Sequence, residues 1–171
     1  MSADQYLERG AAISECGKYR YRLWRKWADV ELLPVLWLML NPSTADGMKD
    51  DPTIRRCREF SRTWGYGSML VGNVFALRAT DPDQLARADD PVGPLNYKSL
   101  TAMAQRSAFV ICAWGSHPKV TGSFSREALT AAWCPGGAWS LGLTKAGNPR
   151  HPLYLPANSQ RQEFKSWQIA A

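Results

Sequence analysis

The chain has 171 residues, 45% of them hydrophobic and 21% charged, with 11 Pro and 13 Gly. This composition excludes a disordered tail or a low-complexity linker and fits one compact domain, residues 1–171, whose core needs neither disulfides nor a structural metal. The 21 basic residues exceed the 15 acidic ones, and the net charge of +6 favours phosphorylated or polyanionic partners, although a basic surface is equally that of many soluble proteins.

Four cysteines, Cys16, Cys57, Cys112 and Cys134, stand apart with no CxxC spacing, which suits a reducing compartment. The longest apolar run, residues 35–40, is too short to cross a membrane, and the opening MSADQYLERG has no apolar signal-peptide core. The expected location is the cytoplasm, with no membrane partner.

In chain order, KYRYRLWRKW (18–27) alternates cationic with aromatic or apolar residues and predicts an N-terminal edge strand. The continuous apolar stretch 35–40 after Pro34 predicts a strand covered on both faces. A helix follows: Asp50 or Asp51 caps it, Pro52 takes its first position, Ile54, Cys57, Phe60 and Trp64 recur at helical spacing, and Gly65 ends it. Arg55, Arg56, Arg58 and Arg62 fall off that stripe. SMLVGNV (68–74) and AFVICA (108–113) predict two more buried strands, separated by a helix over 96–106 with Tyr97, Leu100, Met103 and Ala104 on one side. A helix over 123–133 and a strand over 138–143 complete the series. Alternation of strand and helix predicts an α/β protein, a three-layer α/β/α sandwich with a mainly parallel four-stranded sheet, right-handed crossovers and the extra N-terminal edge strand.

In such sheets ligands sit beyond the carboxyl ends of the strands, so the residues after each strand are the candidates. The first strand delivers Asn41-Pro42-Ser43-Thr44-Ala45-Asp46, and the second delivers Asn73, Phe75 and Arg78. The third delivers Trp114-Gly115-Ser116-His117, and the fourth a loop with Lys145, Arg150 and His151. Each has a plainer use: Asn before Pro opens turns, aspartates cap helices, and aromatics fill cores. Asn73 is the most telling, because an amide within an apolar run needs hydrogen-bond partners. His117 and His151 are the only histidines and lack zinc-site spacing, so no metal is expected. His151, held between Pro149 and Pro152 beside Arg150, suits a neutral hydrogen-bond donor. No GxxxxGK[ST], GxGxxG or GxSxG is present, so neither nucleotide-triphosphate nor dinucleotide chemistry is indicated and no cofactor is expected.

The blocks MLNPSTAD (39–46), DDPTIRRC (50–57), GNVFALRATDP (72–82), DPVGPLN (90–96), AWGSH (113–117) and HPLYL (151–155) occur in an order that resembles an uncharacterised bacterial and phage family, a domain of unknown function. The succession LNPS, strand-two Asn, small-residue turn and HP is also distantly similar to the uracil-DNA glycosylase-like superfamily. That resemblance implies a compact α/β/α fold in which Asn41 orients a water, Asn73 reads a base edge and His151 steadies charge on the departing base. The chain departs from the superfamily pattern in carrying HPLY instead of HPSP and Leu40 before Asn-Pro.

The function expected from these readings is a nucleobase-recognising enzyme acting at an N-glycosidic bond of a modified or mismatched base. Its candidate catalytic residues are Asn41, His151 and Asp46, its base-binding residues Asn73, Phe75 and Trp114, and its phosphate contacts Ser43, Arg55, Arg56, Arg78, Lys145 and Arg150. The expected partner of this monomer is nucleic acid, DNA foremost, or a nucleotide. The alternatives are a non-catalytic reader of modified bases or nucleotides and an enzyme acting on a free nucleotide.

Overall fold

A computed structural model describes residues 5–116 and 137–164. Among these, seven strands form one mixed sheet: β1 (Glu8–Ile13), β2 (Arg20–Lys26), β3 (Val35–Met39), β4 (Ser68–Asn73), β5 (Phe109–Cys112), β6 (Ala138–Ser140) and β7 (Gln162–Glu163). Their order is β1-β2-β4-β3-β5-β6-β7. The four inner strands β4, β3, β5 and β6 run parallel, while β1, β2 and β7 join antiparallel.

The parallel core consists of the four apolar runs legible in the sequence. All five residues of β3 and all four of β5 are buried, as expected of strands covered on both sides. Helix α1 (Pro52–Thr63) begins as its residues dictate: the Asp51 side chain accepts from Ile54 N at 2.8 Å, Pro52 needs no donor, and Gly65 takes a positive φ of 84° past the end. Its Ile54, Cys57 and Phe60 pack with Val35, Trp37 and Met39 of β3. The fully buried Trp37 satisfies its indole N–H by donating to Ser61 Oγ at 3.0 Å and stacks on Trp64 with centroids 5.8 Å apart. Helix α2 (Asn96–Gln105) sends Leu100, Met103 and Ala104 onto Leu36 and Leu38, the alternate residues of β3. The two helices therefore cover opposite faces. Both faces of this central strand are thereby removed from water, and apolar burial is the leading favourable contribution to folding.

Several expectations are corrected. The segment 18–27 is not an edge strand: β2 lies between β1 and β4 and pairs with both, and the edge belongs to β1, whose ERGAAI shows no alternation to announce it. The cationic face foreseen for this segment is not an exposed one throughout, since Arg20 and Arg25 are 3% and 0% exposed. A register shift opposite Ala12/Ile13, whose partners are Arg22 and Arg20, breaks the alternation there. Arg58 of α1 is buried and Tyr97 of α2 is exposed, with Asn96 buried in its place. Two short 3₁₀ turns, Pro82–Arg87 and Pro152–Tyr154, and the strand β7 add to the sequence-level elements. The helix expected over 123–133, together with His117 and Cys134, lies outside the described residues. No described helix is long and apolar enough to cross a membrane.

The contact between the end of β2 and the start of β4 depends on a glycine. Gly67 O accepts from Trp27 N and Ala28 N, and a Cβ at Gly67 would lie 2.5 Å from the Ala28 carbonyl oxygen, a backbone atom that cannot step aside alone. Gly67→Ala is expected to cost about 1–3 kcal/mol by overpacking, read as a lowered midpoint in thermal or urea unfolding.

Candidate functional site

The chain order places β3 between β4, which α1 leads to, and β5, which α2 leads to, with the two helices on opposite faces. The carboxyl end of β3 is thus the point where connections diverge to either side, and a crevice opens at such points. A cavity of about 340 Å³ lies there, lined by residues following β3 (Leu40, Asn41, Ser43), by Asn73 at the end of β4, by Trp114 after β5, by His151 and Tyr154, and by Arg20 and Asp51. A second recess of about 520 Å³ shares Leu40, Trp114, His151 and Tyr154 with it and extends to Ser116, Thr144 and Arg150.

Asn41 is pinned through its amide nitrogen, which donates to Ala79 O at 2.7 Å and Pro42 O at 3.1 Å. With both N–H groups engaged, its Oδ1 is what remains for a ligand, an acceptor able to orient a water. Asn73 presents the opposite chemistry. Its backbone oxygen is held by Asn96 Nδ2 at 3.0 Å and its Oδ1 accepts from Arg20 Nη2 at 3.0 Å, while its buried Nδ2 has no partner among the described residues. Arg20 itself donates to Ala45 O at 2.8 Å, and burial lowers its pKa to about 10.

His151 is held by a rigid loop. Gly115, with φ 73°, donates its N–H to Pro149 O at 2.9 Å, and Asn148 and Thr144 join Ser116 Oγ in a hydroxyl–amide cluster. A left-handed turn at this position favours glycine, and a Cβ there would lie 3.5 Å from that of His151. His151 Nδ1 accepts from Leu153 N at 3.3 Å, which places the proton of the neutral ring on Nε2. Burial holds the imidazole below its usual range, with the Asp51 carboxylate acting the other way. The neutral ring in this tautomer presents Nε2–H as a donor, and Tyr154 lies beside it with centroids 5.7 Å apart.

Of the predicted catalytic residues, Asn41 and His151 meet at this cavity, and Asp46 does not line it. Asp46 Oδ1 accepts from Met48 N and Lys49 N, both at 2.8 Å, closing its own turn, and these bonds hold its carboxyl below the usual range. Of the base-binding set, Asn73 and Trp114 line the cavity, whereas Phe75 is buried among Leu36, Leu38 and Leu100. Trp114 is braced edge-on by Phe164 at 5.6 Å.

The cations mostly lie elsewhere. Arg55 donates to Asp50 O, Arg56 to Leu155 O and Arg78 to Gly17 O, and Lys145 is exposed on its turn, whereas Arg150 lines the recess and Ser43 the cavity. Two residues that sequence reasoning missed belong to the site. Arg20 is one of four cationic residues in β2, RYRLWRK, and nothing in the pattern separates it from the exposed Arg22. Asp51 reads as a helix cap, and while its Oδ1 accepts from Ile54 N the residue also lines the cavity. Among the described residues no group of three or more His, Cys, Asp or Glu side chains is arranged to hold a metal ion.

These features define an α/β protein with a mixed sheet whose polar, aromatic-walled cavity sits at the carboxyl ends of its parallel strands. The chain belongs to the family described as protein of unknown function DUF1643, whose model matches residues 20–153 and so spans the cavity from Arg20 to His151. No curated protein and no solved structure shows a significant match to the chain.

Proposed function

We propose that the protein is a nucleobase-recognising hydrolase that cleaves an N-glycosidic bond, a three-layer α/β/α relative of the uracil-DNA glycosylase-like enzymes. The observation that carries this reading is that one cavity is lined by Asn41, whose Oδ1 is free of its amide bonds, by the carboxylate Asp51, by the donors Asn73 and His151, and by the aromatic Trp114 and Tyr154. Base removal develops positive charge on the sugar and negative charge on the base, so it calls for a placed water and donors aimed at the base more than for a strong nucleophile. Water adds to the anomeric carbon and gives its proton to Asp51, and the base leaves with the electrons of the broken C–N bond. His151 donates to the developing anion, Asn73 holds the base edge, and the aromatic rings stack on the heterocycle.

The test is base release from oligonucleotides carrying uracil, mismatched or modified bases, scored as alkali-labile abasic sites. Asn41→Ala and His151→Ala are each expected to reduce turnover about a hundredfold or more in a protein that still folds, with Asn41→Ala lowering the unfolding midpoint because Ala79 O and Pro42 O lose their donor. Full turnover in both variants would remove this assignment.

A second reading, action on a free nucleotide or nucleoside, is favoured by the placement of the cations. Arg150 lines the recess beside the cavity, while Arg55, Arg56 and Arg78 are held by carbonyls away from it. Thermal stabilisation by nucleotides with none by oligonucleotides would select this reading over the polymer.

A further inference from the structure

The Asn73 amide is asymmetric in its surroundings. A guanidinium carries only donors, so the amide atom 3.0 Å from Arg20 Nη2 is the oxygen, and rotating the amide by half a turn would set N–H against N–H in a buried position. Arg20 cannot relax away from this contact. It is 3% exposed, its Nη1 is tied to Ala45 O, its backbone N–H to Ala76 O, and no described carboxylate forms an ion pair with it. Asn96 fixes the Asn73 backbone from the other side through bonds to Asn73 O and Val74 O. Asn73 lines the cavity, and its Nδ2 is buried and has no acceptor among the described residues. A buried donor left in this state is costly, and an acceptor brought by a ligand removes that cost, whereas a ligand donor in the same place adds to it.

We propose that Arg20 is a positioning residue that decides which half of the Asn73 amide a ligand meets, so that the site takes a heterocycle presenting a carbonyl oxygen there over one presenting an amino group. The inference rests on the nucleobase reading above and adds to it the element that sets the choice of base. Arg20 acts through Asn73, and its guanidinium need not touch the ligand.

The experiment uses the full chain with dUMP and dCMP, which differ in O4 with N3–H against an amino group with a bare N3, titrated by calorimetry. The wild-type protein is expected to prefer dUMP by about tenfold or more. In Arg20→Lys, where the group facing Asn73 is still donor-only, the preference keeps its direction. In Arg20→Gln, whose amide both donates and accepts, Asn73 is free to turn and the ratio falls to within about twofold. A role in packing alone would weaken both nucleotides together and leave their ratio unchanged. Should Arg20→Gln fail to fold, nitrogen-15 spectra of the wild-type protein supply the decision: the Asn73 side-chain NH₂ protons move downfield with dUMP and stay in place with dCMP. A preference that survives Arg20→Gln, equal binding of the two nucleotides, or an Asn73 NH₂ unmoved by bound dUMP overturns the inference and leaves the nucleobase reading standing. Binding of neither nucleotide, with no abasic product from any oligonucleotide, overturns both.

Discussion

Asp50→Ala is expected to destabilise the protein by about 3–5 kcal/mol, because it strands a charge where water does not reach. Arg25 is fully buried in β2, with its Nε 2.8 Å and Nη2 2.7 Å from Asp50 Oδ1. The rest of its guanidinium serves carbonyls: Nη1 donates to Trp24 O and Gly10 O, and Nη2 to Asp46 O at 2.7 Å. One side chain therefore joins β1, β2 and the loop that leads into α1. Asp50 also accepts from the Tyr6 hydroxyl, which in turn accepts from Arg58 Nη1 at 3.0 Å, and burial together with Asp50 pushes the Tyr6 pKa up to about 12. Removing the carboxylate leaves only carbonyl dipoles to offset a full positive charge, and the half-buried Tyr6 hydroxyl loses its acceptor. Asp50→Asn keeps a carbonyl oxygen in place and is expected to lose about half as much, since a hydrogen bond involving a charged partner is worth about 1.5–3 kcal/mol. Urea unfolding of the two variants separates charge from hydrogen bonding. A loss below about 1 kcal/mol in the alanine variant would mean that the carbonyls alone solvate Arg25.

The same cluster shows what sequence patterns convey and where they stop. The four parallel strands and α1 are legible because runs such as Val35, Leu36, Trp37, Leu38 and Met39 have no polar side to turn outward, and because Asp51, Pro52 and Gly65 punctuate the helix through local chemistry. Arg20 and Arg25 are illegible for a physical reason. Hydropathy periodicity assigns an arginine to solvent, and only the arrival of the 45–50 loop, distant in sequence, makes its burial tolerable. β1 and β7 are equally opaque, since their pairing is decided by an already formed neighbour and not by their own composition.

At the cavity, Asn41, Asn73, Trp114 and His151 are legible as residues that follow parallel strands, the one placement that topology fixes. The phosphate assignments fared differently because a long cationic side chain reaches several ångströms from its backbone, so its element does not determine its target. Arg56 illustrates this: it lies over Phe60 of the same helix at 4.8 Å and donates to Leu155 O, 99 residues away. Asp46 closes its own turn and Asp51, the helix cap, lines the cavity, for a related reason. Both accept from backbone N–H groups, and which of the two also faces a cavity is a matter of where α1 docks on β3.

That double use of Asp51 permits a clean separation of structure from chemistry. Asn caps helices about as well as Asp, so Asp51→Asn is expected to keep the bond from Ile54 N and to move the unfolding free energy by no more than about 0.5 kcal/mol. It cannot take up a proton from water, however, and a positioned general base contributes about a hundredfold to ten-thousandfold in rate. Base release by Asp51→Asn should therefore fall by at least a hundredfold while the affinity for substrate, set by Asn73, His151 and the aromatic walls, stays nearly constant. Asp51→Ala would lose the cap as well and fall by about 1 kcal/mol in stability, and comparing the two variants assigns the loss of rate to the carboxylate and not to a frayed α1. The readout is single-turnover base release alongside substrate affinity for both variants. If Asp51→Asn retained the wild-type rate, Asp51 would be a helix cap alone, and the water would depend on Asn41 Oδ1 for its placement, with no protein base beside it.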